Sequence, residues 1–214
     1  MKQLLLLSLC FAVVSTQAQI LGESAKQTYS APQMKTEIAR HKKVAILPFK
    51  ATISFKRQPR NYDAEAIRAE EKNLALNLQQ GMYTYLLRKS SNYTVSFQDV
   101  DRTNALLKQA GVFDKLDELT ADSLCKILEV DAVIKCNYAY EKTGSEGGAI
   151  AKAVILGAAA KTGSGSLTMQ LYNGKDGELL WRFYKEMNET ITSNANEVME
   201  RMMRKVARNF PYSD

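Results

Sequence analysis

Apolar and polar positions along the chain fall into blocks of different period. Val44-Ala45-Ile46-Leu47-Pro48-Phe49 is an unbroken apolar run, which suits a strand covered on both faces, with Pro48 near its end. A loop is expected from about 51 to 62. From Asp63 to about Lys89, Ile67, Leu74, Leu78, Met82 and Tyr85/Leu86 recur at threes, fours and sevens. That is a helical stripe, with Asp63 placed to cap its start and Arg88 and Lys89 at the end that favours cations. Tyr93, Val95 and Phe97 alternate with Thr94 and Ser96, the period of a second strand. A strand, a long helix and another strand form a crossover unit, expected to be parallel and right-handed.

The second half continues the pattern. Arg102 to Ala110 reads as a short helix stopped by Gly111, and Thr120 caps another with Ala121, Leu124, Cys125 and Leu128 inward. Asp131 turns the chain into a strand from Ala132 to Tyr140. Ser166 to Tyr172 and Glu178 to Asn188 are two more, joined by Asn173-Gly174-Lys175-Asp176-Gly177, a hairpin turn. A last helix runs from about Asn194 to Asn209, burying Ala195, Val198, Met199, Met202, Val206 and Phe210. Its basic residues Arg201, Arg204, Lys205 and Arg208 read as a solvated face. The order is strand, helix, strand, helix, helix, strand, strand, strand, helix. The expected architecture is a single α/β (α+β) domain over 43–210, a mixed five-stranded sheet packed by helices.

Two segments stand outside that domain. Met1-Lys2, the apolar run Leu4 to Val14 and the small residues of Thr16-Gln17-Ala18 have the form of a secretory signal peptide over 1–18, too short to span a bilayer. Cys10 offers a lipid-anchor alternative; bulky Leu9 and the apolar residues beyond the cysteine argue against it. Residues 19–42 are polar and without clear period, a linker or loose arm. The expected location is therefore the periplasm or the outer-membrane periphery.

Between the third and fourth strands lies an unusual insertion at about 144–165. Its middle, 147–160, is built from Ala, Gly, Val, Ile and Leu with Lys152 as its one charge. Connections between strands are usually much shorter. As a helix, 147–160 would be about 21 Å long, short of a bilayer core of about 30 Å. Ile150, Val154, Ile155, Leu156 and Gly157 are the candidate interaction residues, for a protein partner, a second copy or a membrane surface. The alternative is a short helix folded back over the domain's own sheet.

Composition changes this picture little. The chain has 214 residues, 45% of them hydrophobic, and a net charge of +6, too mild an excess to indicate nucleic acid. Lys161-Thr162 lacks the glycines of a phosphate-binding loop, and Gly163-Ser164-Gly165 lacks the spacing of a nucleophile elbow. The single histidine, His41, precedes the first strand beside two lysines and reads as a solvated residue. Cys125 and Cys136 fall on apolar faces, as buried free thiols or as a bridge. No catalytic, cofactor-binding or metal-ligating residue is assigned, and no small-molecule substrate is expected. Carboxylates meeting from distant positions would leave a hydrolase open.

Lys43 to Phe49 (KVAILPF), Tyr93 to Gly111 (YTVSFQDVDRTNALLKQAG), Leu119 to Tyr138 (LTADSLCKILEVDAVIKCNY) and Leu167 to Trp181 (LTMQLYNGKDGELLW) together resemble the TolB amino-terminal-domain superfamily of the bacterial envelope. Relatives include the curli-secretion channel lipoprotein and the lipoprotein activators of penicillin-binding proteins. The resemblance spans about 43–209. It implies an exported, non-enzymatic protein that works through protein partners, as an adaptor or an assembly or secretion factor, or as a regulator of a peptidoglycan synthase.

Overall fold

A computed structural model describes residues 26–142, 161–190 and 195–213. Its strands are β1 (Gln27–Ser30), β2 (Lys43–Ile46), β3 (Lys50–Phe55), β4 (Ser96–Phe97), β5 (Ala132–Lys142), β6 (Lys161–Asn173) and β7 (Leu179–Thr190). Its helices are α1 (Met34–Ile38), α2 (Ala64–Arg88), α3 (Val100–Gln109), α4 (Ala121–Leu128) and α5 (Ala195–Val206). All strands join one sheet in the order β1-β7-β6-β5-β2-β4, with β3 paired to β5. β2 runs parallel to β4 and β5, as the crossover requires, and β3 also runs parallel to β5. The β5-β6-β7-β1 half is antiparallel. The sheet is mixed, as expected.

Among the described residues it has seven strands rather than five. One extra strand, β3, lies where a loop was expected. Pro48 cannot donate to a ladder, so β2 ends before it and the chain resumes at Lys50 on the same edge of β5. β2 opposes residues 132–134 of β5 and β3 opposes 137–142. The other, β1, lies in the stretch expected as a loose arm. All four of its residues are exposed, so no buried alternation marks it in the sequence. It pairs antiparallel with β7, Gln27 opposite Tyr184 and Ser30 opposite Trp181.

Local signals set the helices. The Asp63 carboxylate accepts from the amides of Glu65 and Ala66 at the start of α2, and Asp99 does the same for Asp101 and Arg102 at α3. Gly111, at φ +69°, ends α3 in a conformation that a side chain resists. Thr120 stands at the head of α4, but its hydroxyl pairs with Ser123 Oγ at 2.8 Å and caps no amide.

The sheet separates two cores. On one side α2 and α5 pack Leu78, Met82, Leu86, Met199, Met202 and Val206 against Ile134, Cys136, Met169, Trp181 and Phe183. On the other, α3 and α4 pack Leu107, Leu124, Cys125 and Leu128 against Ala45, Leu47 and Val133. Cys125 and Cys136 are thus free, buried thiols on opposite sides of the sheet.

His41 departs from its expected solvated state. It is buried, with Nδ1 2.7 Å from the Tyr212 hydroxyl and Nε2 3.2 Å from Asn173 Oδ1. The three residues come from the start of the domain, the end of β6 and the C-terminal tail, so no local pattern could bring them together.

The insertion is also shorter than expected. β5 continues to Lys142 and β6 begins at Lys161, so 161–165 belong to the sheet. Gly163 and Gly165, which fall within the expected insertion, lie beneath the rings of Tyr140 and Tyr138. The aromatic rings fill the space a side chain would take, which keeps glycine compatible with a strand. Residues 143–160, including Ile150, Val154, Ile155, Leu156 and Gly157, lie outside the described residues, as does the leader at 1–18.

Candidate partner-binding face

Among the described residues, α3 and α4 cover this side of the sheet only over β2 and the base of β5 and β6, near Val133 and Tyr172. Farther along, alternation turns one set of side chains to the helical core and the other away from it. The register arranges the second set in rows across the sheet. Nearest the helices run Lys135, Gln170, Arg182 and Tyr29. Next come Lys50, Asn137, Thr168, Tyr184 and Gln27, then Thr52, Ala139, Ser166 and Glu186. Ser54, Glu141 and Ser164 begin the outermost row. Asn137, Ala139, Glu141, Ser164, Arg182 and Glu186 are exposed, and Tyr29 keeps 50% of its surface.

This face is polar, rich in small hydroxyl residues, and graded in charge. Lys135, Lys50 and Arg182 sit toward the helices; Glu141 and Glu186 sit toward the outer end. The Tyr184 hydroxyl donates to Glu186 at 2.5 Å, and that bond, with a smaller effect of burial, raises the phenol above its usual range.

Where the face meets the helical layer, a cleft of about 540 Å³ opens between the end of β2, α2 and the 113–118 segment. Lys50 reaches Asp117 across it at 2.5 Å, and Lys72 approaches Asp114 at 3.6 Å. The hydrogen bond from Lys50 holds the Asp117 carboxyl below the usual carboxylate range against the opposing effect of burial, helped by the charges of Lys50 and Lys135. Lys135 donates to the Leu116 carbonyl at 3.4 Å, and Glu71 accepts the Ile53 amide at 2.7 Å. These ion pairs are largely exposed, so each contributes little and exchanges readily for an incoming charge.

The groups here suit binding better than bond-breaking. Asp117 is ionised and paired, and Glu71 is engaged by the backbone. Burial pushes the Cys125 thiol up to about 12 and the Cys136 thiol up as well, away from the thiolate a nucleophile needs. Among the described residues, no cluster of three His, Cys, Asp or Glu could hold a metal ion. No described helix is long and apolar enough to cross a membrane.

No protein-family model matches the chain. No curated protein matches it either. Among solved structures it is similar to lipoprotein GNA1162 from Neisseria meningitidis, at 13% identity and a TM-score of 0.48, over 78% of this chain and 96% of that one. It is also similar to the PelC dodecamer from Paraburkholderia phytofirmans, at 14% identity and a TM-score of 0.44, over 89% and 99%. A third likeness is to the LpoB C-terminal domain from Salmonella enterica, at 12% identity and a TM-score of 0.35, over 73% and 96%.

Sequence reasoning did not find the uncovered face. Its signal is the polar half of each strand: Lys50, Thr52 and Ser54 on β3, and Ser164, Ser166, Thr168 and Gln170 on β6. Such residues read as an ordinary solvated face until the topology shows that four neighbouring strands, β3, β5, β6 and β7, expose theirs together.

Proposed function

We propose that this chain is an exported, non-enzymatic protein of the bacterial envelope, an adaptor or assembly factor that acts by protein contacts. The observation that carries this reading is the uncovered, charge-graded face that runs from β3 across to β7 beside the cleft. The antiparallel half of a mixed sheet commonly leaves one face to solvent, but here that face adjoins a cleft whose ion pairs are open to exchange. The apolar stretch 147–160, with Ile150, Val154, Ile155, Leu156 and Gly157, joins β5 to β6 and is assigned a contact with a partner, a second copy or a membrane surface. The leader supports export, with cleavage before Gln19.

Fractionation of cells expressing the full chain tests the export half of this reading. The expected result is a periplasmic or outer-membrane product whose first residue is Gln19. A cytosolic product that retains residues 1–18 would retire it. The contact half is tested by replacing Ser166 with Trp, which leaves the core side of β6 intact. The expected result is loss of co-purifying envelope proteins with unchanged thermal stability; unchanged co-purification counts against the face.

A further inference from the structure

We draw no further inference here: the strongest candidate, the stretch of β7 beyond Tyr184, where the described pairing with β1 stops at Gln27, carries nothing because nothing among the described residues shows what lies against it.

Discussion

His41 and Tyr212, 171 residues apart in the chain, meet at 2.7 Å in a buried contact that ties the C-terminal tail to the start of the domain. Asn173 Nδ2 donates to the carboxylates of Glu37 and Asp176, so its Oδ1 faces the imidazole and can only accept. In the neutral imidazole Nε2 therefore carries the hydrogen, and Nδ1 accepts from the Tyr212 hydroxyl. Burial, with a smaller effect of Asp131, holds that phenol far above its usual range, so it stays a donor. Tyr212→Phe leaves Nδ1 without a partner and is expected to cost about 1–3 kcal/mol. Tyr212→Ala also opens a cavity beside Phe210 and is expected to cost about 3–5 kcal/mol. Urea midpoints at constant slope check both values.

The glycines of β6 differ in what surrounds them. A methyl on Gly163 would meet the Tyr140 ring and, at 2.5 Å, the Glu141 carbonyl oxygen, which the ladder holds in place. A methyl on Gly165 would meet the Tyr138 hydroxyl at 2.6 Å and its ring at 3.1 Å. Both Gly163→Ala and Gly165→Ala are expected to destabilise by roughly 1–3 kcal/mol, Gly163→Ala the more. Thermal melts of the two variants rank them. Equal stability of both to the parent would contradict the placement of the rings.

Asp131 supplies a pH dependence. Burial alone would push its carboxyl up, but the amides of Lys42 and Lys43 at 2.7 and 2.9 Å, with the charge of Lys42, hold it below the usual range. A carboxylate whose folded value is depressed adds stability above its unfolded value of about 3.9, and that stability is lost as pH falls through the lower folded value. Asp131→Asn is expected to lose about 1 kcal/mol at pH 7, discounted for the exposure of the residue. The gap should close below about pH 4. Unfolding curves across pH 3–7 test the window, and a gap that widens toward acid would refute it.

The thiols give a chemical check of the two cores. Cys125 and Cys136 are buried on opposite sides of the sheet. Neither is expected to react with a thiol reagent in the folded leaderless protein, and both should react in denaturant. Intact mass should not change on reduction. A loss of two hydrogens that reductant reverses would contradict this arrangement.

Much of this fold is legible where local chemistry decides it. The caps at Asp63 and Asp99, the stop at Gly111 and the inward stripe of α4 need only neighbours within a turn or two. β1 and His41 were not legible, because each is defined by a partner more than 100 residues away. β3 carries its own alternation, Ala51, Ile53 and Phe55 against Lys50, Thr52 and Ser54, but the apolar run before Pro48 drew the strand assignment to itself. The uncovered face was hidden for a related reason. Polar alternation says which side of a strand avoids the core, while only the topology says whether a helix lies over it.

A photo-activated cross-linking residue at Ser166 or Arg182, compared with one at Arg68 on the solvent side of α2, tests the central claim most directly. In living cells the account expects a discrete, larger adduct from the two sheet positions and none from Arg68. Absence of any adduct from the sheet face, or equal adducts from all three positions, would contradict it.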